Sequence, residues 1–345
     1  MIPALRVLSA GPACLIQDFG RPGYLGLGLS RGGAMDRLAL AEGAALLGQA
    51  LDKAALEMAG MGGRFEALAD LGLALTGAPM RATLDGRPLP WPSSFAMQTG
   101  AILEIGPCLS GSFGYLHIAG GIAAPLEMGA RSAHLTAGIG AALTKGCVLH
   151  AEKTGPVEAK TLDPDDRFAG GILCILPTAQ TKNFPPELRA RLAATEFTRD
   201  PRSNRMALRL AHDGDGFALP GGLSVLSEIT QPGDIQITGD GSAVLLMAEA
   251  QTTGGYPRIA TILPADLARA AQTPPGGKLR FAWIETPEAL EIERRAAEAI
   301  RALPSRARPL IRDPRQIGNL LDYRLIDGMI TGQEADTKPA QNQGD

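Results

Sequence analysis

Two polar segments framed by glycines hold the residue types best suited to chemistry. The first runs from Gln17-Asp18-Phe19-Gly20-Arg21 to Gly32-Gly33-Ala34-Met35-Asp36. The second is Gln251-Thr252-Thr253-Gly254-Gly255-Tyr256-Pro257-Arg258. A Gly-Gly pair lets backbone N–H groups approach a ligand closely. A neighbouring amide, hydroxyl and guanidinium suit a small amide, carboxylate or phosphate. Gln251 offers a donor and an acceptor together, Tyr256 a hydroxyl, and Arg258 a bidentate fork. Each segment also reads as a tight turn with solvated polar tips. Asp36 also reads as a helix cap, and Asp18 with Arg21 as a local ion pair.

A third group is Ser203-Asn204-Arg205-Met206 with Arg209. On one strand face, Arg205 and Arg209 would read a carboxylate or pair with nearby acids. A fourth, Gly120-Gly121-Ile122 with Arg131-Ser132-Ala133-His134, reads as a turn and a surface arginine. We take Gln251, Tyr256, Arg258 and Asp36 as catalytic candidates. The substrate-binding candidates are Gln17, Asp18, Arg21, Met35, Arg205, Thr252, Gly254 and Gly255.

Missing motifs narrow the chemistry. No GxxxxGK[ST] is present, and Gly277-Lys278 leads into Leu279 and a strand. The glycines at 26–33 do not make a dinucleotide fingerprint, and no GxSxG or Ala-Met-Lys-Met occurs. ATP or biotin, if used, is expected from another chain. The four cysteines and four histidines are scattered without CxxC or zinc-type spacing, so no metal is expected.

The elements that must position these segments are short. Gly 43 and Pro 26 make up a fifth of the 345 residues, which favours tight turns between strands. Strands are expected over 5–18, broken at Gly11-Pro12, and then at short intervals to Phe113–Ile118. Asp85-Gly86 marks a hairpin. A helix is expected after Asp36, stopped by Gly48. Residues 151–171 read as a linker and 184–195 as a helix. Strands resume from Met206–Leu210 to Lys278–Ile284, with Asp266 and Thr286 as caps of later helices. The fold class is mostly β and barrel-like, with a few short helices and a C-terminal helix.

A net charge of −3 and 4% aromatics give no footprint for nucleic acid or an anionic membrane. No apolar run approaches the roughly 20 residues of a spanning helix. Pro3 and Pro12 make the first residues a poor signal peptide. A cytoplasmic location with reduced cysteines is expected.

QDFGRPGYLGLGLSRGGAMD, LTGA, AGGI, GARSAHL, SNRMALRL, LSEITQPGDIQITGDG and AEAQTTGGYPRIATILPADL occur in that order. Together they resemble the KipA family, also described as allophanate hydrolase subunit 2 or biotin-dependent carboxyltransferase-like, over about residues 5–284. The resemblance implies cyclophilin-like β-barrel architecture. We divide the chain accordingly. Residues 1–165 form a β-rich domain with the glycine-rich loop and one helix, and 166–285 a cyclophilin-like barrel. Residues 286–333 are a helical extension, and 334–345 a disordered tail.

The resemblance also implies two partners, one KipI-like and one lactam-binding. It implies an ATP-dependent hydrolase, a 5-oxoprolinase active only with those partners, that opens 5-oxo-L-proline to L-glutamate. The ATP site would be shared with, or carried by, a partner. Two alternatives stand beside it. One is a carboxyltransferase acting on urea or another amide, with biotin on another chain. The other is a non-enzymatic regulator that binds a KipI-like partner. The chain departs from the family where Asp-Arg-Met-Gly becomes Asn204-Arg205-Met206-Ala207 and Asp-Arg-Gln-Thr becomes Glu249-Ala250-Gln251-Thr252. GSRST becomes Gly129-Ala130-Arg131-Ser132-Ala133.

Overall fold

Two antiparallel seven-stranded sheets face each other in a computed structural model that describes residues 1–219 and 226–310. The first sheet runs Ile122–Ala123, Val148–Ala151, Ile2–Ala10, Gly63–Ala67, Ile102–Cys108, Met80–Leu84 and Arg87–Pro88. The second runs Cys14–Gln17, Ala55–Ala59, Phe113–Ile118, Leu71–Gly77, Ser93–Met97, Lys160–Thr161 and Arg308–Pro309. Leu5, Val7, Phe65 and Leu103 of the first sheet meet Leu56, Met58, Leu73 and Leu116 of the second in a dry core. This is sandwich packing, in which each inner face removes the other from water.

Leu71–Gly77 is buried at every residue. The reason is helix α1 (Arg37–Leu47), which covers the outer face of that strand. The cap is as expected: Asp36 Oδ1 accepts from Ala39 N at 3.1 Å. Gly48 ends the helix in the left-handed region, with φ 62°. The Asp85-Gly86 hairpin has both residues at positive φ, 48° and 78°, as a type I′ turn requires.

Seven strands close into a barrel. Their order is Gly170–Leu176, Arg258–Ile262, Asp234–Ile237, Ala243–Leu246, Ala207–Ala211, Phe197–Arg199 and Lys278–Trp283. A parallel pairing of Gly170–Leu176 with Lys278–Trp283 shuts it. Leu173, Phe197, Leu208, Ile235, Leu245, Ile259 and Phe281 fill its core. Helices α2 (Pro186–Ala194) and α3 (Leu267–Gln272) pack on it, and α4 (Thr286–Arg306) follows. The mostly β expectation is met, and the barrel strands fall between Gly170 and Trp283.

Three local expectations change. Asp266 stands at the N-cap of α3 as expected, but its side chain makes no capping bond, because its Oδ2 accepts instead from Cys174 N at 2.6 Å. Thr286 lies one residue inside α4, after Glu285. The stretch 151–171 is more than a linker: Lys160–Thr161 joins the second sheet, and Arg167 is only 3% exposed. Its Nε donates to Asp36 at 2.8 Å, and its two Nη atoms donate to Glu42 at 2.9 and 2.8 Å. Residues 311–333 of the expected extension, and the tail at 334–345, lie outside the described residues. Among the described residues no helix is long and apolar enough to cross a membrane.

Candidate functional site

The first glycine-framed segment is a latch. Asp18 accepts from Gly20 N at 2.8 Å and from Arg131 N at 2.6 Å. Gln17 Nε2 donates to Ala133 O at 3.1 Å, and Arg21 Nη2 to Ser132 O at 2.5 Å. The loop is thereby fastened to the 127–134 turn, and Gln17, Asp18 and Arg21 are all buried. Asp18 and Arg21 do not pair with each other, contrary to the local ion-pair reading. Met35 is buried in an apolar cluster that α1 and the sandwich strands share with the barrel.

Asp36 is wholly buried. Its oxygens serve Ala39 N, Arg167 Nε and Gln272 Nε2. The geometry is that of a cap and ion-pair partner, with no face left for a substrate. Sequence reasoning found the cap but missed Arg167, which lies 131 residues away.

The second segment is divided. Gln251 is exposed and Tyr256 is 47% exposed, and both line a cleft of about 730 Å³ on the barrel. Thr252 is buried, and its carbonyl accepts from Thr230 N at 2.9 Å. Arg258 turns away from that cleft. It donates to Glu228 at 2.5 Å and Asp234 at 3.3 Å, and its Nη1 reaches Ile229 O at 2.9 Å. It pins the strand Glu228–Ile229, which pairs with Thr253–Gly254. Gly254 has no positive φ, and a Cβ there would stand 2.6 Å from Gln236 Nε2, the mobile end of a side chain that would have to shift. Gln236 lines the same cleft, is 2% exposed, and has no partner for that nitrogen among the described residues.

Arg205 does not share its surroundings with Arg209, although the two lie four residues apart. Arg209 lines the barrel cleft. Arg205 lines a second cavity of about 470 Å³, at the junction of barrel and sandwich. The two spaces share Asn204 and Met206 as lining residues.

At the junction Arg205 forms a buried network. It pairs with Glu57 of the sandwich. It also donates to Glu249 at 2.6 Å and to Gly33 O at 2.6 Å. Burial alone would lower its pKa, but the two carboxylates outweigh burial and raise it. Glu57 also accepts from Tyr115 Oη at 2.6 Å and Met35 N at 2.8 Å. Burial, then Glu57 and Asp36, hold the Tyr115 phenol well above its ordinary pKa, so it stays a proton donor.

His134 faces Glu249 at 3.9 Å. Its Nδ1 accepts from Ala137 N at 3.3 Å, which leaves the proton on Nε2, 2.8 Å from Ser30 Oγ. Burial lowers its pKa while Glu249 works against the shift, so the contact is not an ion pair at neutral pH. Glu57 carried one sequence signal: it is an acid inside the otherwise apolar run Ala55–Ala59, a strand that is buried or nearly so at every residue.

A β sandwich joined to a closed barrel makes the fold of a carboxyltransferase domain. The crystal structure of the K. lactis urea amidolyase has it, with TM-score 0.78 and 21% identity, over 91% of this chain and 21% of that one. The chain belongs to the family described as carboxyltransferase domain, subdomain A and B, whose model matches residues 27–283. It is 31% identical to the C subunit of the Haemophilus influenzae 5-oxoprolinase, over 84% of this chain and 94% of that protein. It is also similar to the crystal structure of TTHA0988, with TM-score 0.75 and 31% identity over 81% of this chain. It spans only 56% of that chain.

Proposed function

We propose that this chain is one component of an ATP-dependent 5-oxoprolinase, which hydrolyses 5-oxo-L-proline to L-glutamate in the cytoplasm. The observation that carries the reading is the likeness to a 5-oxoprolinase C subunit over 94% of that protein's length. The geometry supports it with a junction cavity of about 470 Å³, room enough for a small amide. In this reading substrate enters that cavity. Gln251 and Tyr256 act from the adjoining cleft, and Arg205 fixes the wall between barrel and sandwich.

A triphosphate does not fit the residues of the cavity. Among the described residues no lysine lines it, Arg205 is already held by two carboxylates, Arg199 is a single cation against several phosphate charges, and phosphates would meet Glu57 and Glu249. We therefore assign ATP to a partner and route no step through it here. A lactam is a poor electrophile, so this chain's task is to position it and to polarise its carbonyl. The expected partners are a KipI-like protein and a lactam-binding protein.

The family description and the urea amidolyase fold favour one second reading, carboxyl transfer to urea or another amide. Biotin would then come on another chain. Co-purification with candidate partners, followed by glutamate release from 5-oxoproline with ATP, separates the two readings. Glutamate formation supports the first. Carboxylation of urea by a biotin-bearing partner, without glutamate, replaces it by the second.

A further inference from the structure

One arginine in the junction cavity has no role in the network around Arg205. Arg199 ends the barrel strand Phe197–Arg199 and is only 4% exposed. Its backbone is clamped on both sides: Arg199 N donates to Gly277 O at 2.9 Å, and Gly276 N donates to Arg199 O at 2.8 Å. Its Nη1 donates to Ser112 Oγ at 2.6 Å, to Ala271 O at 3.1 Å and to Thr273 O. Nε is buried without a partner among the described residues. The side-chain partners are all neutral oxygens, and among the described residues no carboxylate pairs with it. Arg167, Arg205 and Arg258 each hold at least two carboxylates.

A guanidinium is costly to bury without a counter-charge. That imbalance shows at Arg199, where burial, unopposed by any acid, lowers the pKa to about 10. Glu57 and Glu249 line the same cavity but are turned to Arg205. The rest of the wall includes Leu15, Ala59 and Phe113, and the mouth has exposed Gly60, Thr136 and Pro275. A fixed cation in an apolar chamber that opens to solvent selects a small carboxylate with a compact body.

We propose that Arg199 is the carboxylate anchor of the junction cavity, and that its ligand is a small monocarboxylate with a compact, largely apolar or amide-bearing body. The inference rests on the reading of this cavity as the ligand site. 5-Oxo-L-proline is a ligand of this class, and urea is not.

The test is calorimetric titration of the full chain with four probes: 5-oxo-L-proline, 2-pyrrolidinone, cyclopentanecarboxylate and urea. 2-Pyrrolidinone is the same lactam without the carboxylate. The two carboxylates are expected to bind at least tenfold more tightly than 2-pyrrolidinone and urea. Arg199→Gln should erase that gap, and Arg199→Lys should keep part of it, since a point charge lacks the fork. The comparison of probes needs no variant, so a misfolded mutant does not block it.

Equal binding of 2-pyrrolidinone and 5-oxo-L-proline overturns the anchor. So does no carboxylate binding by natively folded chain, or a gap that survives in folded Arg199→Gln. Tight cyclopentanecarboxylate binding, with no glutamate released by the reconstituted complex, keeps the anchor and removes the 5-oxoprolinase reading. Glutamate release with equal binding of the two lactams does the reverse.

Discussion

Arg205 of the barrel and Glu57 of the sandwich lie 148 residues apart in sequence and form a buried ion pair. The same guanidinium holds Glu249, so one side chain neutralises two acids from different parts of the fold. Arg205→Met would leave both carboxylates buried and uncompensated. The expected loss is about 3–5 kcal/mol of unfolding free energy, measured by urea denaturation. Arg205→Lys should lose less, because it keeps the charge. A loss under about 1 kcal/mol for Arg205→Met would show that the network is solvated rather than buried.

Helix α1 gives a prediction of unusual sign. Gly43 lies in its interior, where alanine normally gains about 1 kcal/mol. Here a Cβ on Gly43 would stand 2.2 Å from Cε1 of the His117 ring. Gly43→Ala should therefore destabilise, and His117→Ala in the same chain should recover part of the loss. A higher Tm for Gly43→Ala alone would contradict this packing.

His117 also sets a pH dependence. Thr76 Oγ1 donates to Ala39 O at 2.8 Å, so the contact with His117 Nε2 at 2.7 Å has the imidazole as donor. Burial lowers the His117 pKa from 6.5 to about 3. The unfolded chain thus takes up the proton first as pH falls. The stability due to neutral His117 is complete above pH 6.5 and is lost on the way down to about pH 3. From this shift the loss is at most about 5 kcal/mol. His117→Gln keeps a donor and removes the titration. Urea midpoints measured between pH 7 and 4 should fall less steeply in that variant, and parallel slopes would refute the assignment.

What the sequence disclosed follows the range of each interaction. Asp36, Gly48 and the Asp85-Gly86 hairpin are local devices whose chemistry is complete within a few residues, and all three were legible. The glycine-framed segments were legible as special, but not as different from each other. Gln17, Asp18 and Arg21 look like a polar binding tip until the 127–134 turn, over a hundred residues later, closes on them. Arg167, Glu57 and Arg199 acquire meaning only from partners brought by the tertiary fold. Arg258 reads as a ligand fork in sequence because its acids, Glu228 and Asp234, are 30 and 24 residues upstream.

The two ends of the second segment should respond differently to mutation. Gln251 is exposed on the cleft, so Gln251→Ala should lower turnover of the reconstituted complex at least tenfold, about 1.4 kcal/mol of activation energy. Its Tm should not move. Arg258→Lys loses the fork that holds Glu228, Asp234 and Ile229 O together. Its activity loss should therefore accompany a lower Tm. Normal turnover in Gln251→Ala would remove Gln251 from the site.

The central claim is that this chain supplies one part of an ATP-dependent 5-oxoprolinase whose ATP is carried by, or shared with, a partner. The direct measurement is glutamate release, coupled to ADP formation, from 5-oxo-L-proline. It should be made with the chain alone, and with co-purified KipI-like and lactam-binding partners. The account predicts no turnover by the chain alone and stoichiometric glutamate and ADP from the assembled complex. Robust turnover by the single chain, or an assembled complex that binds 5-oxo-L-proline yet forms no glutamate, would contradict it.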